Sequence, residues 1–272
     1  MFPLNTGVPQ GSVLSPTLYS IYTRDCPSSN AGIKVQFADN VTQVVYHPGR
    51  SSMMLNARTG REIARVNEYE TSWRIETNLG KFSVLPLATL NPAPLLVEDE
   101  VVDFRPNGSV LGLQVSTRGY TSHVTGRVVR ARTALTQLYR FRDLDPKLKL
   151  HLVKALVIPV LTYPPVPMHA LSRRSISRLQ KVQNAALRFA FATRWDEFVS
   201  MESLHERASI PALNIRLHQM AKKVWERMAL EEWEHYTAIR ELHELLPGRN
   251  HAWFPRSLRA LEENPNPIPR YL

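Results

Sequence analysis

The fold is decided by residues 7–40, which read GVPQGSVLSPTLYSIYTRDCPSSNAGIKVQFADN. Gly7, Pro9 and Gly11 predict a loop at the start of this stretch, with a backbone that a ligand can approach closely. Ser12 follows in the loop and is expected to cap the helix that begins there. The first part of the stretch therefore predicts an exposed loop that leads into a helix N-terminus.

A helix and a hairpin complete the stretch. Residues 13–22 are rich in apolar side chains and predict a helix, with Pro16 near its first turn, where proline is tolerated. Residues 33–37 alternate apolar and polar side chains, and a strand pattern resumes after Asp39 and Asn40. Because Asp and Asn suit a tight turn, this pattern presents one carboxylate at a hairpin tip, near the helix start.

The loop and helix resemble part of the palm of reverse transcriptases, in particular those of jockey-type non-LTR retrotransposons. The matching sequence is GVPQGSVLSP at residues 7–16. In that family the corresponding loop and helix contact the template and the incoming nucleotide. The resemblance therefore implies substrate-binding roles for Pro9, Gln10, Gly11 and Ser12.

The hairpin tip resembles the metal-binding hairpin of the same family, with one departure. Residues 37–40 read FADN, whereas the family has FADD with two Mg²⁺-binding aspartates. The resemblance implies that Asp39 is a catalytic metal ligand and that Asn40 stands at the second catalytic position. The family's other catalytic aspartate lies on a strand well before the loop, and only six residues precede Gly7. We therefore expect the C-terminal part of a larger enzyme, inactive alone.

Two further positions match the family pattern downstream of the hairpin. A helix is predicted over residues 51–75, and the resemblance places Lys81, which follows it, near the nucleotide phosphates; the alternative is that Lys81 merely begins a strand. Gly112 lies in a segment that resembles a strand pair supporting the primer end, where glycine allows close backbone approach; the alternative is a buried strand glycine. Short strands are predicted over residues 81–87, 94–97, 101–104 and 109–115.

The net charge of +10 is concentrated in one segment. Residues 121–192 contain 13 basic and 2 acidic residues, whereas the rest of the chain contains 21 basic and 22 acidic residues, a net charge of −1. Such a segment is typical of a surface that binds a polyanion. The alternative is a solvated face, which would normally mix both signs.

The predicted helix over residues 172–191 separates its apolar and cationic side chains. Four of its basic residues recur at helical spacing and share one stripe. Its sequence LQKVQNAALR, at residues 179–188, resembles thumb helices of the same family. The predicted nucleic-acid-binding residues are the stripe of Arg174, Arg178, Lys181 and Arg188, together with Gly112, Arg127 and Arg130.

Other functional classes find little support in the sequence. A single cysteine, Cys26, excludes an internal disulfide and a cysteine-based zinc site and favours a reducing compartment. The sequence contains no Walker or Rossmann glycine motif, no signal peptide and no apolar run long enough for a membrane span. These features predict an intracellular protein, in the nucleus or cytoplasm, with no membrane contact.

The sequence as a whole predicts an α+β protein. We expect a partial polymerase palm over residues 1–117, with a β-hairpin, a short antiparallel sheet and helices. A basic helical thumb or connection should follow over residues 118–192, with helices over residues 124–141, 146–157 and 172–191 and a break at Pro159. A helical C-terminal extension is expected over residues 193–272, with helices over residues 201–208, 211–230 and 232–246. Within the extension, residues 264–269 are rich in proline and predict a loose tail.

Three functional interpretations follow from this organisation. The first is a fragment of an RNA-directed DNA polymerase, whose parent enzyme binds an RNA template and a DNA primer and uses Mg²⁺. The second is a non-catalytic remnant that binds nucleic acid through the thumb helices. The third is the product of a decayed element that does not fold stably, because a partial palm leaves a sheet edge exposed.

Overall fold

The computed structural model describes residues 9, 11–27, 32–47, 51–75, 82–87, 94–97, 100–102, 104–166, 170–194, 196–233, 236–237, 239–240, 261 and 267–271. These residues form helices and small antiparallel sheets, so the prediction of an α+β fold is confirmed at that level. The chain divides into two compact units, Met1–Pro106 and Asn107–Leu272. Among the described helices, none has both the length and the apolar character that crossing a membrane requires.

The described part of the first unit contains two helices and two hairpins. In chain order they are α1 (Ser15–Tyr22), β1 (Gly32–Phe37), β2 (Asn40–Val45), α2 (Ser52–Ser72), β3 (Leu95–Val97) and β4 (Glu100–Val102). Both strand pairs are antiparallel and two-stranded. The Ser51 hydroxyl accepts a hydrogen bond from the Met54 amide at 3.2 Å, which caps α2. The two predicted helices and the predicted hairpin are therefore confirmed.

Much of the apolar surface of this first unit is uncovered. Its buried apolar side chains include Ile63, Tyr69 and Leu95, whereas Val13 is 92% exposed and Phe37 is 62% exposed. Further apolar side chains on α1 and the first hairpin are also exposed, namely Leu14, Leu18, Ile21, Val35, Val41 and Val44. The alternating pattern predicted these strands correctly, but within the described residues neither β1 nor β2 has a second strand neighbour.

Two strand predictions differ from the structure. Within residues 82–87, the described part of a predicted strand, Val84 forms only an isolated bridge with Phe104. The predicted single strand over residues 109–115 is instead a hairpin, which turns at Leu111 and Gly112. Both turn residues have positive φ, +47° and +84°, the backbone conformation of a tight two-residue hairpin turn. The prediction that Gly112 lies within a strand is therefore wrong.

The second unit is a helical bundle preceded by this hairpin. In chain order its elements are β5 (Asn107–Val110), β6 (Leu113–Ser116), α3 (Thr121–Leu138), α4 (Pro146–Leu152), α5 (Ile158–Thr162), α6 (Arg173–Ala190), α7 (Met201–Ala208) and α8 (Leu213–Leu230). Side chains of α3, α5, α6, α7 and α8 share one hydrophobic core. Ala186 and Leu187 of α6 are fully buried in it. The helices predicted from apolar periodicity between residues 121 and 230 are confirmed within a few residues at their ends.

The chain remains helical through Pro159, where the sequence predicted a break. A π-helical turn over residues 153–157 joins α4 to α5, and Pro159 lies in the first turn of α5. Proline has no amide hydrogen to donate and crowds the preceding turn of an α-helix. A widened turn before it lets the helix continue, which a prediction from residue type alone does not anticipate.

The C-terminal segment is held in place rather than loose. Residues 264–266 lie outside the described residues, but residues 267–271 are hydrogen-bonded to α6 and α8. The Asn184 amide donates to the Tyr271 carbonyl at 2.6 Å, and the Asn214 amide donates to the Ile268 carbonyl at 2.8 Å. The prediction of a loose tail is therefore wrong for residues 267–269. Of the helix predicted over residues 232–246, the structure describes residues 232–233, 236–237 and 239–240. Residues 236–237 and 239–240 are helical, as predicted, whereas residues 232–233 are not.

Candidate functional site

A tight turn precedes α1 at the predicted substrate-binding loop. The Pro9 carbonyl accepts hydrogen bonds from the Ser12 amide at 3.3 Å and from the Ser15 hydroxyl at 2.5 Å. Gly11, with φ +85°, supplies the left-handed backbone of this turn. Gln10 lies outside the described residues. The structure thus brings Pro9, Gly11 and Ser12 together on one exposed loop.

Ser12 does not cap the helix, contrary to prediction. Leu14 occupies the N-cap position of α1 without a side-chain hydrogen bond, and the Ser12 hydroxyl accepts from the Leu14 amide at 3.4 Å. Because the turn at Gly11 occupies the residues before the helix, α1 begins only at Ser15. The buried Ser15 hydroxyl ties the helix to the turn, a role that the sequence pattern did not reveal.

The hairpin between β1 and β2 presents its carboxylate to solvent. Its two turn residues are Ala38 and Asp39, and the last strand pair is Phe37 with Asn40. The turn therefore lies one residue earlier than the Asp39–Asn40 turn predicted from residue type. Both Asp39 and Asn40 are exposed, and the Asn40 amide donates to a carboxylate oxygen of Asp39 at 3.2 Å. Burial and the charge of Asp39 raise the pKa of Tyr19 on α1.

The hairpin tip offers one carboxylate for a cation. Within the described residues, no group of three His, Cys, Asp or Glu side chains stands close enough to hold a metal ion. Asn40 contributes a neutral oxygen, and its N–H already occupies one oxygen of Asp39. A Mg²⁺ site needs several hard oxygen ligands with a compensating negative charge. The described residues therefore do not form a complete Mg²⁺ site, and Lys81 lies outside them.

Aromatic side chains tie α1 to the end of α2. The rings of Tyr22 and Trp73 meet edge to face, with their centroids 5.1 Å apart. The Tyr22 hydroxyl donates to the Trp73 carbonyl, and the Tyr69 hydroxyl donates to the Tyr22 carbonyl at 3.2 Å. This cluster fixes the helix that follows the loop.

The predicted cationic stripe of α6 is divided into two pairs. Arg174 and Lys181 are exposed, as predicted for cations that contact a ligand. Arg178 is half-buried and donates to the Thr125 hydroxyl at 3.0 Å, while Arg188 donates to the Arg194 carbonyl at 3.0 Å. Two of the four stripe residues therefore also connect α6 to neighbouring segments, and contact of the stripe with nucleic acid stays a prediction.

Arg127 and Arg130 have different environments although both lie on α3. Arg127 is buried, donates to the Gly112 carbonyl at 2.9 Å and lies 5.8 Å from the ring centroid of Tyr163. Burial and the charge of Arg130 lower the pKa of Arg127. Arg130 is exposed and donates to the Gly126 carbonyl of its own helix at 3.3 Å. Arg127 therefore holds the hairpin turn, and Arg130 remains accessible to a ligand.

A buried polar network surrounds the amide side chain of Gln180. Its NH₂ group donates to Asn184 Oδ1 at 2.7 Å and lies 3.1 Å from His205 Nε2, and its oxygen accepts from the Leu213 amide at 2.7 Å. His205 Nδ1 lies 2.8 Å from the Ile210 carbonyl, so it carries a ring proton, and Nε2 lies 3.1 Å from both the Gln180 amide nitrogen and Asn184 Oδ1. Burial lowers the pKa of His205 and so favours its neutral form. The motif at residues 179–188 resembles a thumb helix, but that resemblance does not reveal that its glutamine and asparagine side chains are buried.

His123 is a second buried histidine, and its hydrogen bond requires the neutral ring. Its Nδ1 accepts a hydrogen bond from the Gln114 amide at 3.3 Å, which attaches β6 to α3. Burial and the charges of Arg127 and Arg130 lower its pKa to about 4.

Lowering the pH from 7 to 4 is expected to destabilise the folded chain through these histidines. The pKa values of these histidines are lower in the folded state than in the unfolded state. Their contribution to the free energy of unfolding is therefore complete above about pH 6.5 and is lost as the pH falls towards 4. For His123 alone, the free energy of unfolding should fall by an amount on the order of 3 kcal/mol at pH 4. Urea unfolding of the chain and of His123→Gln at several pH values measures it, with exposed His151→Gln as the control. An unchanged pH slope in His123→Gln would contradict the assignment.

Comparison with known proteins finds RNA-directed DNA polymerases of mobile elements. The chain is 28% identical over 82% of its length to a probable RNA-directed DNA polymerase from transposon X-element of Drosophila melanogaster. It is 25% identical over 83% of its length to the RNA-directed DNA polymerase from mobile element jockey of Drosophila funebris. A probable RNA-directed DNA polymerase from transposon BS is 24% identical over 90% of the chain.

The chain spans about a quarter of the length of these curated relatives, between 25% and 28%. No protein-family model matches the chain, and no solved structure does. The similarity to the jockey-type polymerases, which the motifs at residues 7–16 and 37–40 predicted, is confirmed.

Proposed function

We propose that this chain is the palm and thumb part of an RNA-directed DNA polymerase of a jockey-type non-LTR retrotransposon, and that it binds an RNA template and a DNA primer. The observation that carries the proposal is its similarity to four such polymerases of mobile elements, over 82–90% of the chain. The exposed loop at Gly11 and the hairpin tip at Asp39 support it, since both present backbone and carboxylate groups to solvent at the motifs of that family.

The residues of the loop and the hairpin tip have separate roles in this proposal. Gly11 and Ser12 offer exposed backbone and hydroxyl groups that suit a nucleotide, and Gln10 and Lys81 belong to the same proposed site. Mg²⁺, when bound in the parent enzyme, neutralises the phosphate charge during nucleotidyl transfer. Asp39 would be one of its ligands. Since the described residues do not complete that site, nucleotidyl transfer is not assigned to this chain by itself.

Primer extension tests the catalytic part of the proposal. With an RNA template, a DNA primer and either Mg²⁺ or Mn²⁺, we expect no template-dependent incorporation by this chain. Asn40→Asp is expected to remain inactive as well, because restoring one carboxylate leaves the site short of ligands. A related full-length polymerase serves as the positive control. Incorporation that is lost on Asp39→Ala would overturn this expectation.

A non-catalytic nucleic-acid-binding remnant is the second candidate. The observation that favours it is the excess of basic over acidic residues in residues 121–192, 13 against 2, with Arg130, Arg174 and Lys181 exposed. Binding without chemistry would show the steep salt dependence of phosphate contacts. Binding that is absent at low salt would contradict both candidates.

A further inference from the structure

A surface cavity of about 380 Å³ lies at the C-terminal end of α3. It is lined by residues of α3 and the turn that follows, and by one residue of the π-helical turn, namely Ala134, Gln137, Leu138, Arg140, Phe141 and Leu156. This volume is at the lower end of the range for ligand sites, about 300–1,000 Å³. The cavity is therefore large enough for a single small group and too small for a duplex.

The lining combines an aromatic ring, an aliphatic wall and a polar group. Phe141 is 42% exposed and Leu156 is 49% exposed, while Leu138 below them is buried. Leu156 belongs to the π-helical turn, and π turns are rare and occur often at functional sites. Gln137 is exposed and has a side-chain amide that can both donate and accept hydrogen bonds.

The charges around the cavity are positive. Arg140 lines it, and Arg130 precedes Ala134, Gln137 and Phe141 at helical spacing, on the same side of the chain. Of the two acidic residues of this segment, Asp145 caps α4 through the Lys147 amide at 2.8 Å, and the exposed Asp143 lies 3.8 Å from Arg142, which offsets its charge. The surroundings therefore favour an anionic ligand that has an apolar, planar part.

We propose that this cavity binds one unpaired base of a single-stranded nucleic acid. The base stacks on the exposed ring of Phe141 against Leu156, and the Gln137 amide meets a base edge. Arg140 contacts the adjoining phosphate, and Arg130 contacts the backbone one helical turn away. The inference rests on the proposed function for its choice of polyanion, and it adds a subsite for an unpaired strand. Stacking accepts any base, so the subsite tracks a strand without reading its sequence.

Fluorescence anisotropy with the full chain tests this assignment. The probes are a labelled oligothymidine single strand and an RNA–DNA duplex of the same length. Phe141→Ala is expected to weaken single-strand binding about tenfold, which is the effect of losing one stacked base, and to leave duplex binding unchanged. Phe141→Trp, which keeps a stacking surface, should bind like the parent chain. Thermal melting shows whether each variant remains folded.

Matched controls separate the cavity from general surface effects. Phe198→Ala removes another ring, which is 100% exposed and lies outside the cavity. This variant is expected to bind the single strand and the duplex as the parent chain does. Arg140→Ala should reduce the slope of log K against log salt for the single strand by about 0.7. Arg194→Ala removes an arginine already paired with Asp196 at 3.0 Å and should leave the slope as it is.

The outcomes distinguish this inference from the proposed function. If the chain binds both probes with steep salt dependence and Phe141→Ala binds the single strand normally, the cavity assignment is wrong and the proposed function stands. An equal loss on both probes also overturns the assignment, because the ring then serves no unpaired base. If Phe141→Ala abolishes self-association seen by sedimentation without altering nucleic-acid binding, the cavity is a protein contact. If the chain binds neither probe at low salt, the proposed function fails too.

Discussion

Reversing the charges of Arg130, Arg174 and Lys181 to glutamate is expected to weaken binding to an RNA–DNA duplex by roughly 100-fold or more at moderate salt. These three cations are exposed and lie in the basic segment. Each phosphate contact contributes about 0.9 to the slope of log K against log salt for a duplex. The triple variant should therefore show a slope less steep by about 2.7, measured by anisotropy across a salt series.

The choice of these three residues depends on the structure. Arg127, Arg178 and Arg188 donate hydrogen bonds within the second unit, so reversing their charges would disturb the fold as well as the surface. A matched control reverses Arg24, Arg105 and Lys223, three exposed cations outside residues 121–192, which changes the net charge by the same amount at other places. An equal loss of affinity in both variants would show that only net charge matters. Unchanged affinity in the first variant would show that its three cations do not contact the nucleic acid.

Replacing Gln180 with methionine is expected to lower the free energy of unfolding by about 4 kcal/mol. Gln180 is fully buried and its amide serves three partners, Asn184, His205 and the Leu213 amide. Methionine keeps the side-chain length but leaves those buried polar groups without their partner. Each such loss costs about 1–3 kcal/mol, and the three losses are not fully additive.

Urea unfolding of the full chain measures this effect. The midpoint should fall while the slope with denaturant stays constant, since the same surface is exposed on unfolding. The control is Gln137→Met, the same substitution at an exposed position, which should change stability by no more than about 0.5 kcal/mol. If the Gln180→Met variant were as stable as the control, the hydrogen bonds of Gln180 would not be formed in solution.

The sequence predicted some site positions correctly and others only in part. The hairpin with Asp39 at its tip was predicted because alternating apolar residues and turn-forming residues are local signals. The turn register was wrong by one residue, since residue type favours Asn at the turn while the strand pairing places Asn40 opposite Phe37. Arg127 was predicted to contact nucleic acid, but the structure buries it against the turn at Gly112.

The sequence by itself determined the helices, the first hairpin and the place of the positive charge, because helical periodicity, strand alternation and charge counts depend on nearby residues. It also determined the similarity to jockey-type polymerases, through contiguous motifs. Only the tertiary structure decided which cations of α6 remain exposed, and that Gln180 and Asn184 lie inside the bundle. Their partners His205, Leu213 and Tyr271 stand 21 to 87 residues away in the chain. Burial depends on such distant neighbours, which a local pattern does not contain.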